Sequence, residues 1–145
     1  MYTTFIIGTA GSGKSTLTSR YSDWLKMKDQ HVITVNLDPG ALNLPYAPDI
    51  DIREHISIYD LMEKYNLGPN GALIMAADLI ADQMGDLRNT LEGLGADYVI
   101  VDTQGQMELF AFRQSGPYIA NELSSSSKAI LYLFDAAFSN DPVNY

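Results

Sequence analysis

The chain has 145 residues, 46% of them hydrophobic, which is enough for one domain with a substantial core. Its net charge of −9 and its nine scattered basic residues argue against direct contact with nucleic acid. It contains no cysteine, which excludes disulfides and thiolate metal sites. The sequence shows no signal peptide and no apolar run of membrane-spanning length, so we expect a soluble, cytoplasmic protein without membrane contact.

The most specific motif lies near the amino terminus and reads Gly8-Thr9-Ala10-Gly11-Ser12-Gly13-Lys14-Ser15. An apolar strand is predicted before it, over residues 3–7, and a helix after it, from residue 15 to about residue 27. This is the P-loop pattern, in which backbone N–H groups surround phosphates, the lysine reaches the β- and γ-phosphates and the serine ligates Mg²⁺. We therefore expect nucleotide binding by Gly11, Ser12, Gly13, Lys14 and Ser15 of this motif and by Thr16, which follows it. The glycine spacing does not fit the dinucleotide motif G-x-G-x-x-G in any register.

The helix after the P-loop carries an apolar stripe made by Leu17, Tyr21, Trp24 and Leu25. Residues at this helical spacing share one face. The stripe therefore predicts that Trp24 belongs to the core.

A second strand, predicted at residues 32–35, leads into Asn36-Leu37-Asp38-Pro39-Gly40. Ligands of open α/β sheets bind at the carboxyl ends of the strands, so Asp38 is a candidate for contact with Mg²⁺ or its waters. The alternative is an Asx turn, which the sequence Asp-Pro-Gly favours. Residues 39–51 are rich in proline and are predicted to form a long, ordered, irregular loop.

Helical patterns fill the middle of the chain. Ser57 and Asp60 resemble a capping box that starts a short helix ending near Tyr65. Residues 68–71 are predicted as a tight turn, and residues 71–94 as one long helix with apolar positions spaced alternately four and three apart. The first turns of that helix contain no polar residue, which predicts burial on more than one side. Either a partner surface or the proline-rich loop of the same domain would provide that burial.

Residues 98–102 form an apolar run that ends in an aspartate, the Walker B pattern of P-loop proteins. We expect Asp102 to hold the hydration shell of Mg²⁺. In the sequence that follows, Gly105 offers a backbone N–H to the γ-phosphate, and Gln106 occupies the place of a glutamine that orients water. Ser15, Asp38 and Asp102 are thus the predicted metal ligands.

The remaining elements are a helix from about Pro117, a solvated loop at the serines of positions 124–127, and a fourth strand at residues 129–134. Residues 139–143 have the pattern of a helix start. We interpret the chain as a single P-loop domain, the front part of a longer one. The predicted fold is α/β, a three-layer P-loop NTPase with a mainly parallel central sheet flanked by helices.

Taken together, these motifs resemble the GPN-loop GTPases, a branch of the SIMIBI class of P-loop proteins. Beyond the P-loop, the resemblance rests on residues 36–39, 44–46, 51–54 and 102–108, and on the turn Gly68-Pro69-Asn70 that names the family. Two features depart from it. Gln104 stands where the family usually has proline, and the guanine-reading motif, an Asn or Thr followed by Lys-x-Asp, does not occur in the sequence. A preference for guanine is therefore implied by the resemblance alone.

The resemblance implies Mg²⁺-dependent hydrolysis of GTP to GDP by a dimeric switch or assembly factor. It also implies a homodimer through the GPN-loop region, with Asn70 of each subunit reaching the partner's nucleotide, and protein clients such as RNA polymerase. The catalytic candidates are Gln106, Asp38, Asn70 and Glu108. For Asn70, the alternative is a cap for the helix that follows it.

Two other classes of function remain open. A small-molecule kinase shares the P-loop and the Walker B strand, and Arg53 and Arg113 are available for the arginine-bearing lid that such kinases need. Gln106, however, favours water as the acceptor. The other class is an assembly or chaperone module that binds nucleotide with little turnover.

Overall fold

The computed structural model describes residues 1–106, 113–124 and 126–138. In these ranges, five strands form one sheet: β1 (Tyr2–Gly8), β2 (Val32–Asn36), β3 (Ile50–Asp51), β4 (Tyr98–Asp102) and β5 (Ser127–Leu133). Their spatial order is β3-β2-β4-β1-β5, and every neighbouring pair is parallel. The predicted parallel sheet is confirmed. The strand β3, at the end of the loop expected to be irregular, was not predicted, and β5 begins inside the serine run, two residues before its predicted start.

Five helices accompany the sheet in the described part of the chain: α1 (Lys14–Lys26), α2 (Ile58–Tyr65), α3 (Pro69–Asp82), α4 (Met84–Leu94) and α5 (Ser115–Leu123). Single 3-10 turns lie at Ile52–Glu54 and Ala136–Phe138. The predicted cap of α2 is confirmed, because the Ser57 side chain accepts a hydrogen bond from the Asp60 N–H at 3.2 Å. In the described ranges, none of the helices is long and apolar enough to cross a membrane.

The sheet separates two hydrophobic cores. Successive side chains of a strand point to opposite faces, so Phe5 and Val101 pack on the face covered by α2–α5, whereas Ile6 and Ile100 pack with Leu25 of α1 on the other face. All five side chains are almost completely buried. This arrangement confirms the three-layer fold.

The long helix predicted for residues 71–94 is in fact two helices, and the predicted turn is the start of the first. Gly68 is the N-cap of α3, and Pro69 is its first residue. Proline suits that position because its missing N–H has no partner in a first turn. α3 ends at Gln83, whose N–H bonds to Ile80 O at 3.1 Å instead of the carbonyl four residues back. A glycine, Gly85, lies two residues after this break.

The apolar start of α3 is buried within the chain. No residue between Gly71 and Ala77 is exposed. The helix lies against α2 and α5, and a β-carbon added to Gly40 in the proline-rich loop would lie 3.6 Å from Leu73 Cδ2. Ala72, Ala76 and Ala77 are buried, whereas the other residues of this stretch are half-buried. Burial within the domain thus accounts for part of the pattern, and the partner surface stays a prediction.

Two predictions about burial were wrong. Trp24 is 53% exposed and stacks against Tyr21 on the surface of α1, because the buried face of the helix is centred on Thr18, Ser22 and Leu25. Ser124, expected in a solvated loop, is only 3% exposed where α5 ends.

Candidate active site

Three strand ends meet at one edge of the sheet. Asp102 at the end of β4 pairs in register with Ile6 of β1 and with Asn36 of β2. Because all three strands are parallel, the segments that follow them lie side by side. The topology therefore brings together the P-loop, the segment containing Asp38, and residues 103–106.

The P-loop turns into α1 through a left-handed residue. Gly13, the N-cap of α1, has φ 92°, a conformation that side chains disfavour. Lys14 is buried, and its Nζ donates to Thr9 O at 2.9 Å, while Ser12 Oγ donates to the same oxygen at 2.7 Å. Burial lowers the pKa of Lys14, and the carboxylates of Asp102 and Asp38 oppose that shift. The ammonium group thus lies among the groups expected to contact phosphate and metal.

A cleft of about 680 Å³ opens beside this loop. It brings together most of the predicted nucleotide-binding residues: Gly11, Gly13, Lys14, Ser15, Thr16 and Gly105, together with Asp38. Ser12 does not line the cleft, and its hydroxyl points back to Thr9. The cleft is thus the candidate site for a nucleotide.

The two carboxylate oxygens of Asp102 differ in their hydrogen bonding. Tyr46 Oη donates to Oδ2 at 3.0 Å, whereas Oδ1 has no hydrogen-bond partner among the described residues although Asp102 is only 1% exposed. Burial raises the pKa of Asp102, and the hydroxyls of Ser15 and Tyr46 and the charge of Lys14 oppose the shift. This contact of Tyr46 was not predicted, since no local sequence pattern links the residue to an aspartate 56 residues away.

Asp38 forms the predicted Asx turn and also lines the cleft. Its Oδ1 accepts from the Gly40 N–H at 2.9 Å, which is the Asx turn, and the residue also lines the cleft. Its own N–H donates at 3.0 Å to Oδ1 of the fully buried Asn36. Burial raises the pKa of Asp38, and the backbone N–H groups of Gly40 and Gly105 and the charge of Lys14 lower it. The turn therefore fixes a carboxylate next to the phosphate cleft.

These groups fit a magnesium ion. Asp102, Asp38 and Ser15 offer hard oxygen donors, and Asp102 Oδ1 is a buried oxygen without a donor among the described residues. No group of three or more His, Cys, Asp or Glu in the described ranges could hold a metal by itself. Mg²⁺ characteristically uses one or two carboxylates together with substrate phosphates, which matches this donor set.

The segment after β4 closes against the P-loop. A β-carbon at Gly105 would lie 3.3 Å from Ala10 Cβ, so the glycine permits a close approach. Next to it, Gln106 Nε2 donates to Asn70 Oδ1 at 3.4 Å. Asn70 is the second residue of α3 and Gly68 is its N-cap, so the cap interpretation of Asn70 was wrong. Glu108 lies outside the described residues.

Arg53 holds the proline-rich loop in place. Its guanidinium contacts the Asp51 carboxylate, with Nη2 and Oδ2 2.6 Å apart, and its Nη1 donates to Ala41 O at 2.8 Å. The Asp51 hydrogen bond raises the pKa of Arg53. An arginine with these partners serves the structure of the loop. Arg53 is therefore less available for the arginine-bearing lid of a kinase. Arg113, the other arginine considered for such a lid, is exposed.

Comparison with known proteins agrees with this geometry. A family model described as "conserved hypothetical ATP binding protein" matches residues 6–145. The chain is 36% identical to a GPN-loop GTPase of Pyrococcus abyssi, with 96% of this chain and 55% of that protein covered. It is 37% identical to GPN-loop GTPase 3 of Mycosarcoma maydis, covering 99% and 52%. The chain belongs to the GPN-loop GTPase family.

A solved GPN-loop GTPase shares the fold as well. The crystal structure of the Pyrococcus abyssi protein, a GTPase in its apo form, matches with a TM-score of 0.79 at 36% identity and covers 90% of this chain and 52% of that one. The chain spans about half the length of these GPN-loop relatives. The likeness therefore covers the P-loop, Walker B and GPN segments described above.

Proposed function

We propose that this chain binds GTP with Mg²⁺ and hydrolyses it to GDP and phosphate. The observation that carries the proposal is the convergence of Lys14, Ser15, Asp38 and Gly105 on one cleft. It is supported by the Walker B residue Asp102, whose Oδ1 is buried and accepts no hydrogen bond within the part of the chain that the structure describes. The GTPase names of the relatives support the reaction and the nucleotide.

Each group has a defined task in this reaction. Ser15, Asp38 and Asp102 would hold Mg²⁺ directly or through its waters, and the bound ion would neutralise charge on the phosphates. Lys14 binds the β- and γ-phosphates, and the Gly105 N–H donates to the γ-phosphate. Gln106 orients the attacking water. Loss of the γ-phosphate releases the bonds made by Lys14 and Gly105, which makes the site a switch.

Release of γ-phosphate from GTP and from ATP, measured with Mg²⁺ and with EDTA, tests this function. We expect release from GTP that stops when the metal is chelated. ATP should be cleaved at a comparable rate, because the sequence contains no guanine-reading motif. A nucleotide that binds without being cleaved would favour the assembly module. Transfer of the phosphate to an added acceptor in place of water would favour the kinase.

We also propose that the chain forms a homodimer through the GPN-loop region, with Asn70 acting on the partner's nucleotide. Asn70 is exposed at the start of α3 and lies 3.4 Å from the Gln106 side chain, at the rim of its own active site. A two-fold axis brings the same patch of two subunits together. An axis near this rim would place each Asn70 next to the other active site.

Mixing two inactive variants separates action across the dimer from action within one subunit. A Lys14→Ala subunit cannot hold nucleotide but carries Asn70, and an Asn70→Ala subunit has the reverse defect. We expect the mixture to hydrolyse GTP several-fold faster than either variant alone, because the mixed dimer contains one complete site. Native mass spectrometry counts the mixed dimers. If they form and the rate does not rise, Asn70 acts only on Gln106 of its own chain.

A further inference from the structure

The backbone of Asp38 is held on both sides by one buried side chain. Asn36, the last residue of β2, is completely buried. Its Oδ1 accepts from the Asp38 N–H at 3.0 Å, and its Nδ2 donates to the Asp38 carbonyl oxygen at 3.2 Å. An amide side chain has both donors and an acceptor, so one residue can bind both polar groups of that backbone. The placement of the Asp38 carboxylate therefore depends on where the Asn36 amide is held.

The Asn36 amide is held in turn by Asp51 of the neighbouring strand β3. Asn36 Nδ2 also donates to Asp51 Oδ1 at 2.9 Å. The guanidinium of Arg53 binds the same carboxylate, with Nε 3.0 Å from both oxygens and Nη2 2.6 Å from Oδ2. An arginine that contacts both oxygens of a carboxylate fixes its orientation as well as its position.

Arg53 also reaches the residue that follows the Asx turn. Its Nη1 donates to Ala41 O at 2.8 Å, and the Ala41 N–H donates to Asp38 O at 3.3 Å. The hydrogen bonds thus run in a closed ring from Asp38 through Asn36, Asp51, Arg53 and Ala41 back to Asp38. We call these five residues the Asp38 ring. Because the ring is closed, no member can leave it without breaking contacts to at least two others.

Arg53 is the member of the Asp38 ring that can be changed without disturbing the core. Its side chain is 31% exposed, whereas Asn36 is fully buried. Arg53 does not line the phosphate cleft, and Asp38 does. The effect of Arg53 on an ion bound in the cleft is therefore indirect. It is exerted either through the position of Asp38 or through the charge of the guanidinium group.

We propose that Arg53 is a positioning residue for the metal site: through the Asp38 ring, it holds the Asp38 carboxylate where that group meets Mg²⁺ or its waters. The inference rests on the metal site of the proposed function. Partners that orient a metal-binding group from outside are typically worth about tenfold to a hundredfold in metal affinity. Arg53 thereby contributes to the site although it touches neither the nucleotide nor the ion.

Binding of Mn²⁺ to the complex of the chain with GDP tests the proposal, because Mn²⁺ takes the same kind of oxygen ligands as Mg²⁺. Electron paramagnetic resonance measures the free ion. We expect Arg53→Met to raise the dissociation constant of Mn²⁺ about tenfold. Arg53→Lys should raise it nearly as much, because an ammonium group keeps the charge but lacks the planar fork that bonds Asp51 and Ala41 together. Parental affinity in Arg53→Lys would show that only the charge matters, and it would overturn the inference.

A second substitution, at Asp38, determines whether Arg53 acts through that residue. Asp38→Ala alone should weaken Mn²⁺ binding, and the addition of Arg53→Met should then have almost no further effect. If Arg53→Met weakens binding equally in both backgrounds, Arg53 does not act through Asp38 and the inference is wrong. If Asp38→Ala itself leaves Mn²⁺ binding unchanged, Asp38 does not serve the metal, and the inference fails together with that assignment.

Arg88→Met is the matched control. Arg88 pairs with Glu92 on α4 at 2.9 Å, and its side chain is 36% exposed, close to the value for Arg53. This variant should bind Mn²⁺ like the parent. In EDTA, the GDP affinity of Arg53→Met and of Arg88→Met should stay close to that of the parent, because neither arginine lines the phosphate cleft.

Circular dichroism checks that each variant is folded. Parental Mn²⁺ affinity in folded Arg53→Met would overturn the inference. Cleavage of GTP by the parent chain is measured separately, and its absence would overturn the proposed hydrolysis. Because the Mn²⁺ affinities are measured with GDP and do not depend on cleavage, these two failures are distinguishable.

Discussion

Replacing Lys14 with alanine is expected to abolish nucleotide binding and to leave the fold intact. Lys14 is the one basic residue among the described residues that line the phosphate cleft. Without it, the phosphates would face the carboxylates of Asp38 and Asp102 with no opposing ammonium group. We expect affinity to fall by at least about a hundredfold, which corresponds to ~3 kcal/mol of binding free energy.

Titration calorimetry with GDP and GTP measures this loss, and circular dichroism checks the fold. Lys26→Ala is a suitable control, because Lys26 lies exposed in the last turn of the same helix. This substitution removes the same charge from the chain at a residue that does not line the cleft. The affinity of the Lys26→Ala variant for nucleotide should therefore match that of the parent chain. Unchanged affinity in Lys14→Ala would contradict the assignment of the P-loop.

Replacing Gln106 with leucine is expected to keep nucleotide binding and to remove most hydrolysis. Gln106 lines a small pocket with Asp38 and Gly105, next to the phosphate cleft, but does not line that cleft itself. Leucine fills a similar space and can neither orient water nor donate to Asn70. We expect the single-turnover rate to fall by roughly a hundredfold or more, while the dissociation constant of the nucleotide stays close to that of the parent.

The control for this variant is Gln30→Leu, which replaces a glutamine after α1 whose side chain donates to Lys28 O. It should hydrolyse GTP at the parent rate. If Gln106→Leu also retains that rate, catalysis depends on another group, and Asp38 or Glu108 becomes the better candidate.

The features that could be predicted from the sequence are those that depend on neighbouring residues and on sheet topology. The P-loop and the Walker B aspartate have local signatures, and parallel strands bring such residues to one edge. This is why Lys14, Ser15, Asp38 and Gly105 were expected together and lie together in the cleft. Each of these four residues is close in sequence to the strand that positions it. Their positions therefore do not depend on the course of a long loop.

The contacts that were missed depend on long loops and on side-chain packing. Tyr46 reaches Asp102 from the irregular segment before β3, and nothing in its local sequence specifies that partner. The break of the predicted long helix at Gln83 was missed too, because the apolar spacing continues across it and Gly85 was not taken as a break signal. Asn70 was placed in a turn because Gly, Pro and Asn are common in turns, although the same residues also suit a helix start.

The outer strand β5 has a consequence for how assembly of this chain is measured. Within the described ranges β5 pairs only with β1, and its apolar side chains are exposed, with Ile130 at 61% and Tyr132 at 45%. Edge strands with free backbone groups are templates for pairing with other chains. Association along this edge would not depend on nucleotide or on Asn70. The response of the mass distribution to nucleotide and to Asn70→Ala therefore separates a dimer through the GPN-loop region from pairing along β5.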